Sequence, residues 1–305
     1  MKRAFLIGIT ALLGLHEIKA QSSLDLVTVS GRHGFTQKAD ELGTNNNSEI
    51  GSLINVKIPI VLSRKSVWYS SITYLSSHVA SDATLGSDIS NPIDVDGFII
   101  QTGLVQTLNE KQKIQLLFAP RFMSDMENAT KDNWQFGGVV LFENRYSENL
   151  MIRFGALSNS EQFGLSLTPL LHIDWELTPK WSIAGMLPVY AKVSYRVNEN
   201  LTAGFSHFAL ITSYRLGNLA YENDYIERTS IDLTLFARQQ LIKNIFVEGR
   251  LGFAVAREYA QYAEDQKIDF RLMIINFGDN RIAKNEMMKG GPIANLRLVY
   301  NLPLE

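Results

Sequence analysis

Three ionisable residues occupy alternate positions in the segment "LSLTPLLHIDWEL". His172, Asp174 and Glu176 are spaced two residues apart, and side chains at that spacing on a β-strand point to one face. An imidazole and two carboxylates on one face could bind a cation or act as acid and base. They could also pair with Lys or Arg on neighbouring strands. We favour the second interpretation, a ladder of solvated polar side chains.

Two other histidines are candidate catalytic bases. A hydrolase needs a nucleophile within reach of its base, and a serine two residues from a histidine on one strand would supply it. His207 is followed by Ala209 at that position, while His33 has Ser30 upstream but no carboxylate nearby in the sequence. We therefore predict that the chain is not an enzyme and has no catalytic residues.

Four aspartates fall in the segment "SDATLGSDISNPIDVDG" and could collect Ca²⁺. Their spacing does not match that of an EF-hand loop, and carboxylates are common on protein surfaces. We predict neither a metal site nor a cofactor here. The four residues are Asp82, Asp88, Asp94 and Asp96.

The beginning of the chain predicts export. In "MKRAFLIGITALLGLHEIKAQSS", two basic residues precede an apolar run and a small residue, Ala20, as in a secretory signal peptide. We predict a signal peptide at 1–20 and one domain at 21–305. No later segment offers the ~18 consecutive apolar residues of a membrane helix. With a formal net charge of −2, no basic excess points to nucleic acid.

Alternation of apolar and polar residues with a period of two dominates the chain and predicts β-strands. In "LSLTPLLHIDWEL" every second residue from Leu165 to Leu177 is apolar. The predicted number of strands is about fourteen. Twelve is the alternative, because two strands must fit in the short span between Leu177 and Val197. The predicted strands are 24–31, 50–62, 67–78, 93–107, 112–123, 134–146, 149–158, 165–177, 180–187, 189–197, 200–215, 227–240, 243–257 and 292–302.

One strand breaks its own pattern. In "LTAGFSHFALITSYR", Leu201, Ala203 and Phe205 share one face, but Phe208, Leu210 and Tyr214 fall on the other. One extra residue in a strand reverses the faces that follow it. We therefore predict a β-bulge near Ser206–His207.

Short turns alternate with long polar loops along the chain. Links such as "LNEKQ", "YSENL" and "VNENL" contain only a few turn-forming residues, whereas "HGFTQKADELGTNNNSE" and "MSDMENATKDN" are long and irregular. A meander with tight turns at one end and long loops at the other accounts for this. We place the last long loop at Glu258–Gly291, where it could fold inward as a constriction or plug.

The lengths of the strands decide which face points inward. A soluble β-sandwich, the main alternative, has strands of about 5–6 residues, whereas several here reach a dozen. Strands in lipid must close into a barrel, since no water is present to satisfy a free edge. We predict an all-β fold, a closed antiparallel up-and-down transmembrane β-barrel. Phe142, Ile152 and Phe154 would then face lipid, and Glu143 and Arg153 the lumen.

The closing segment "ANLRLVYNL" and the repeated short turns resemble those of bacterial outer-membrane β-barrels. The terminal strand looks like their assembly signal, although Leu302 stands where an aromatic residue is usual. "GMLPVYAKVSYRVNENLTAGF" is similar to the middle of porin-like families classed as domains of unknown function. The resemblance implies the outer membrane of a Gram-negative bacterium. The implied partners are outer-membrane lipid and the barrel-assembly machinery, which would bind the C-terminal strand.

Parity along the strands gives a lumen with more basic than acidic side chains, which favours anions in a water-filled pore. We predict a passive channel or transporter for small solutes, anions among them. The alternative is a non-conducting structural or partner-binding barrel, and a weaker one is a barrel hydrolase acting on lipid. The predicted lumen-lining residues are Lys57, Lys113, Arg121, Glu143, Arg145, Arg153, His172, Asp174, Glu176, Lys192, Arg196, Asp232, Arg238, Glu248, Arg250 and Arg297.

Overall fold

The computed structural model describes residues 23–38, 46–221, 223–285 and 289–303. The predicted signal peptide lies outside these ranges. The described chain is nearly all β, with two single-turn 3₁₀ helices at Lys131–Asn133 and Leu219–Tyr221. None of its helices is long and apolar enough to cross a membrane.

Eighteen strand segments follow one another along the chain. Alternation of apolar and polar side chains, with many β-branched and aromatic residues, accounts for them. Their bounds are β1 (Ser23–Lys38), β2 (Asn46–Ser63), β3 (Ser66–Ser81), β4 (Ile93–Thr107), β5 (Gln112–Phe118), β6 (Arg121–Ser124), β7 (Trp134–Gln135), β8 (Gly137–Arg145), β9 (Leu150–Glu161), β10 (Gly164–Glu176), β11 (Trp181–Leu187), β12 (Tyr190–Arg196), β13 (Leu201–Arg215), β14 (Tyr225–Ile242), β15 (Ile245–Tyr262), β16 (Phe270–Leu272), β17 (Ile275–Phe277) and β18 (Gly291–Pro303).

These segments form a closed antiparallel barrel of fourteen strands. Segments β5 and β6 are two parts of one barrel strand, as are β7 and β8, because each pair continues along the same neighbour. The barrel closes where β1 pairs with β18 on one side and β2 on the other. β16 and β17 form a small hairpin outside this count. The predicted fold class and strand number are confirmed.

The outer surface of the barrel is apolar. Val140, Phe154, Leu171 and Leu235 are exposed there, and the rings of Phe142 and Phe154 contact each other across two strands. Glu143 and Arg153 lie on the opposite, inner face and form an ion pair. The predicted orientation of these strands is therefore correct, and the exposed apolar band is that of a transmembrane barrel.

The two ends of the barrel differ. At the short-turn end, where both described termini lie, the connections are brief, and exposed Tyr146, Trp175, Trp181 and Tyr300 lie close to them. Aromatic residues at such positions mark the membrane–water interface of barrels. The other end carries the long connections 82–92, 216–224 and 263–290, and we call it the long-loop end.

The predicted β-bulge near Ser206–His207 is wrong. β13 pairs in unbroken register with β14 from Leu201 to Arg215 and with β12 from Thr202 to Phe208. Phe208, Leu210 and Tyr214 therefore keep the inward parity of Ser206. They point inward because that end of the barrel has an apolar interior. The register shift lies instead in β15, where Val255 is the extra residue opposite β14. The last loop also begins later than predicted, since β15 continues to Tyr262.

Two strands are too short to complete the wall. β11 and β12 have seven residues each and turn at Pro188–Val189. β10 therefore pairs with β11 only from Leu171 onward, and β13 pairs with β12 only up to Phe208. We call the space between the remaining edges, 164–170 of β10 and 209–215 of β13, the wall gap. β16 fills part of it by pairing with Ser166 and Leu167 of β10.

Candidate functional site

A cavity of about 2480 Å³ occupies the barrel interior, and we call it the chamber. It reaches the short turns, where exposed Arg64, Lys65 and Glu110 form part of its wall. It extends past the middle of the barrel as far as Arg121 and Ile211. Because the short turns leave this mouth uncovered, solutes of the adjoining compartment can enter it.

Fifteen of the sixteen predicted lumen residues lie on the chamber wall. The exception, Glu248, has a fully buried side chain beneath three cations that do line it. Among the described residues that line the chamber, fifteen are Lys or Arg and seven are Asp or Glu. The wall therefore carries an excess of positive charge although the whole chain is slightly acidic.

The carboxylates of the chamber are shared between cations on nearby strands. Glu248 contacts Lys192 Nζ at 2.6 Å, Arg250 Nη2 at 2.6 Å and Arg297 Nη1 at 3.0 Å. Since one carboxylate neutralises one cation, this cluster keeps a net positive charge.

A second cluster follows the same arrangement, and a third carboxylate forms a one-to-one ion pair. Glu143 contacts Arg153 Nε at 2.7 Å and Lys113 Nζ at 3.5 Å. Asp25 receives two hydrogen bonds from the Arg238 guanidinium, at 2.8 and 3.1 Å. These contacts hold the side chains against the wall, so they leave the interior open and basic.

Midway along the chamber the lining becomes apolar. Leu117, Val139, Leu141 and Leu170 are buried there on the inner faces of β5, β8 and β10. Side chains that face a water-filled lumen are mostly polar. A ring of apolar side chains therefore shows that the environment inside the barrel changes at this level. We call it the apolar belt, and the partly buried residues Tyr69, Leu157, Met186 and Val189 complete it.

His172 lies at the boundary between the basic wall and the apolar belt. Its side chain is 95% buried and belongs to the chamber wall, and Arg153 is its partner across the strand pair. Neither ring nitrogen has a hydrogen-bond partner among the described residues. Buried polar groups are normally satisfied, so His172 is available to bind a polar group in the chamber.

The other two members of that ladder differ from His172. Asp174 and Glu176 also line the chamber but lie nearer the short turns. Within the described ranges, no group of three or more His, Asp or Glu residues is arranged to hold a metal ion. The ladder is therefore not assembled as a three-residue metal site.

At the long-loop end the barrel is filled. Inward-facing Leu75 and Val79 of β3 pack with Tyr214 of β13, Ile226 of β14 and Tyr259 of β15, all nearly or fully buried. These strands lie on opposite sides of the barrel, so the contacts span its interior. We call this cluster the apolar closure, and Ile93, Val95, Met123 and Leu216 also belong to it.

A buried charge network lies beside the apolar closure. Glu49 of β2 is fully buried and accepts a hydrogen bond of 2.7 Å from the Tyr259 hydroxyl. It also contacts Arg32, Arg228 at 3.3 Å and Arg257 at 3.7 Å. Because Arg228 and Arg257 come from β14 and β15, the network joins strands that are not neighbours.

A second buried ion pair holds the C-terminal part of β13 against β6 and β9 on the other side of the barrel. Arg121 of β6 pairs with Glu161 of β9, and Glu161 accepts hydrogen bonds from Ser213 N at 3.0 Å and Ser213 Oγ at 2.7 Å. Gln135 Nε2 donates to Ser213 O at 2.9 Å. β13 can reach these strands because β12 ends at the wall gap.

The other candidate histidines and aspartates have different partners, and among them His207 lines the chamber. The imidazole of His78 contacts Asp94 at 2.6 Å and the Tyr74 hydroxyl donates to Asp96 at 2.6 Å, both on the outer face. Asp82 pairs with Asn46 in a loop. His207 contacts Pro188 O at 2.7 Å. Lys284 Nζ lies 3.9 Å from Asp88 Oδ2, so the four aspartates are held by separate partners.

Arg121 of the long-loop end was predicted from the sequence, but most other charged residues there were not, among them Glu49, Glu161 and Arg257. Glu49 and Glu161 share the parity of Lys57 and Arg153 on their strands, so alternation could have found them. Arg257 could not be found that way, because the bulge at Val255 reverses the faces of the residues that follow it. The sequence also carried a signal of the apolar closure, because Tyr214 falls on the inward face of β13.

The sequence of residues 88–271, more than half of the chain, matches DUF6268, a domain family of unknown function. No curated protein matches the chain in sequence. Among solved structures, an outer-membrane channel of the COG4313 group from Pseudomonas putida F1 is similar, with a TM-score of 0.47 and 9% identity over 92% of this chain and 98% of that one. The NanC porin has a TM-score of 0.35 and 9% identity over 89% and 98%.

Proposed function

The chain belongs to the DUF6268 family, and we propose that it is a passive outer-membrane channel for small solutes with a preference for anions. In this proposal the signal peptide at 1–20 directs export, and 21–305 forms one barrel domain. The C-terminal strand would be bound by the barrel-assembly machinery, and no enzymatic activity is expected.

The observation that carries the proposal is the basic chamber open at the short turns. A wall with fifteen Lys and Arg against seven Asp and Glu creates a positive potential, which the low-dielectric barrel wall focuses. Lys57 and Arg196 of this wall make no ion pair within 4 Å among the described residues. A small anion entering the chamber therefore meets cations that are not fully neutralised.

The apolar closure favours a second candidate, the non-conducting structural or partner-binding barrel. Residues from opposite sides fill the long-loop end, so ions cannot cross straight along the barrel axis in this conformation. Conductance separates the two candidates, because a channel must open to bulk solvent on both sides.

The test is single-channel conductance of the chain in a planar bilayer, with the reversal potential recorded in a salt gradient. We expect discrete openings that favour chloride over potassium. Substituting both Arg145→Glu and Arg153→Glu should reduce or reverse this preference, because it changes the charge of the chamber wall by four. A folded barrel without openings under any voltage would reject the channel in favour of the non-conducting candidate.

The matched control reverses charge outside the chamber. Lys131→Glu and Lys267→Glu alter exposed loop residues that do not line it. Their selectivity should equal that of the unaltered chain at ordinary salt, since surface charges are screened within about 10 Å. An equal shift in both double variants would show that the preference does not come from the chamber.

A further inference from the structure

The wall gap interrupts an otherwise continuous sheet at the level of the lipid-facing band. Leu165, within the β10 edge of the gap, and Leu171, next to that edge, are both exposed on the outer face of β10. Backbone edges facing lipid are costly unless they are covered or line a water-filled space. Ala209 N donates to Val189 O at 2.7 Å and Met273 N to Leu167 O at 3.0 Å, which covers part of each edge.

The hairpin β16–β17 is held in the gap by its base. Arg271 donates to Glu227 of β14 at 2.6 Å and lies over the Phe163 ring at 4.0 Å. Arg281 also contacts Glu227, at 2.7 Å. Among the described residues the tip makes no ion pair and is held by the backbone hydrogen bond of Met273. Met273 and Ile274 are exposed, and both line the chamber.

The chamber therefore continues into the wall gap, and its lining there is apolar. Val189 at the β11–β12 turn, Phe208 and Leu210 of β13 and the hairpin tip all belong to its wall. Exposed Ile275 and Phe277 beside the tip extend the outer apolar surface over the gap. An apolar passage that joins an interior cavity to a lipid-facing surface is suited to a hydrocarbon group.

A polar group lies directly below that passage. His172 follows Leu170 on the inner face of β10, and Met186 of the apolar belt is its partner on β11. Its unpartnered ring nitrogens and the neighbouring Arg153 can together receive an anionic head group. Along β10, His172 is five residues from Leu167, whose carbonyl accepts the hydrogen bond from Met273 N at the hairpin tip.

From this arrangement we propose that the wall gap is a lateral portal through which a small amphipathic anion moves between the chamber and the membrane. The head group binds at His172 and Arg153, and the hydrocarbon chain lies along the apolar belt toward Met273 and Ile274. This inference rests on the proposed channel function, since it names the solute class. It also gives the chamber a second opening that the apolar closure does not obstruct.

The test uses decanoate with a photoreactive diazirine at the end of its chain and the full chain in lipid nanodiscs. After illumination, the labelled residues are identified by mass spectrometry. We expect labels concentrated on Val189, Leu210 and Met273, with competition by unmodified decanoate and none by acetate. Labels spread evenly over lipid-facing residues such as Phe154, without excess at the gap, would overturn the portal.

Two exposed isoleucines of the same loop provide a matched pair of variants. Ile274 lines the chamber and Ile282 does not. Ile274→Glu should lower portal labelling at least about tenfold, a change equal to ~1.4 kcal/mol, because the carboxylate repels the anion and its chain. Ile282→Glu should leave labelling unchanged. Equal effects of the two substitutions would contradict passage at the tip.

The head-group site is tested by His172→Leu, which keeps an apolar volume in the wall. Decanoate binding should weaken about tenfold, equal to ~1.4 kcal/mol, while binding of uncharged decanol stays unchanged and shows that the barrel is folded. Equal loss of both ligands would remove His172 from head-group binding. Chloride conductance without decanoate labelling would reject the portal and support the channel. Decanoate labelling without chloride conductance would support the portal and reject the anion channel.

Discussion

The two halves of the barrel contain the same types of charged residue, but one half has an open interior and the other a filled one. In the short-turn half, Glu143 and Glu248 are shared by cations along the wall, and the interior stays open. In the long-loop half, Glu49 and Glu161 are reached by residues from across the barrel, and the interior is filled. The difference follows from β11 and β12, which extend through only the first half.

This comparison shows that strand length, rather than lumen composition, decides whether the barrel is open. A full circumference of fourteen strands holds opposite walls apart, and charged side chains then pair with near neighbours. Where two strands are missing, β13 crosses to β6 and β9 and brings Tyr214 against β3. The closed half therefore depends on buried contacts between distant strands, which single substitutions can break.

The largest expected effect is that of Glu49→Gln, which removes the only carboxylate in contact with Arg228 and Arg257 among the described residues. Breaking a buried ion pair by removing one partner costs about 3–5 kcal/mol. We expect a loss of that size in urea unfolding from lipid vesicles, and larger conductance steps as the closed half loosens. Asp94→Asn, in an exposed pair with His78, should cost about 1 kcal/mol or less. Equal losses in the two variants would contradict a structural role for the network.

The next largest effect is expected when an arginine is placed on the lipid-facing side of β5 rather than on its chamber-facing side. Leu116 points to lipid and its neighbour Gln115 lines the chamber. Leu116→Arg should destabilise the folded barrel by about 2–4 kcal/mol, the cost of an arginine at mid-membrane. Gln115→Arg should change the free energy of unfolding by less than ~1 kcal/mol, because its charge is solvated. Urea titration of both variants checks this, and the opposite ranking would mean that the faces are assigned the wrong way round.

Most of the wall could be predicted from the sequence. Alternation of apolar and polar residues, together with the turn residues, identifies each strand from its own segment of the chain. The predicted strand 112–123, for example, corresponds to β5 and β6 together. The closed half could not, because it depends on contacts between distant strands. Phe208, Leu210 and Tyr214 have the parity of a bulged strand or of a filled interior, and local alternation cannot distinguish these. The short span between Leu177 and Val197 was the available signal of incomplete strands.

A smaller effect is expected for Glu161→Gln, which weakens the crossing of β13. The carboxylate accepts two hydrogen bonds from Ser213 and pairs with Arg121, and hydrogen bonds to a charged group contribute about 1.5–3 kcal/mol. The amides of Thr212 to Tyr214 should exchange roughly 10- to 100-fold faster with deuterium. Glu264→Gln, at the half-exposed partner of Arg215, should leave them unchanged. Unaltered exchange in the Glu161 variant would show that the crossing does not depend on this carboxylate.

The smallest effect concerns the base of the β16–β17 hairpin and depends on pH. Hydrogen bonds from the Arg281 side chain lower the pKa of Asp279, in the loop, from its ordinary 3.8 to about 2. A carboxyl whose folded pKa is depressed stabilises the folded state above its unfolded pKa, and that contribution is lost as pH falls through the folded one. The loop should therefore loosen between pH 3.8 and about 2.

The chain has no cysteine, so a fluorophore on Ile274→Cys reports the hairpin tip alone. Its emission should shift as acid is added, with a midpoint near pH 2, and Asp279→Asn should show the shifted emission already at neutral pH. Glu227 and the Tyr225 hydroxyl also face Arg281, at 2.7 and 3.1 Å, so part of the anchoring persists when Asp279 is protonated. An identical acid response in the Asp279 variant would leave Asp279 without a role in holding the tip over the gap.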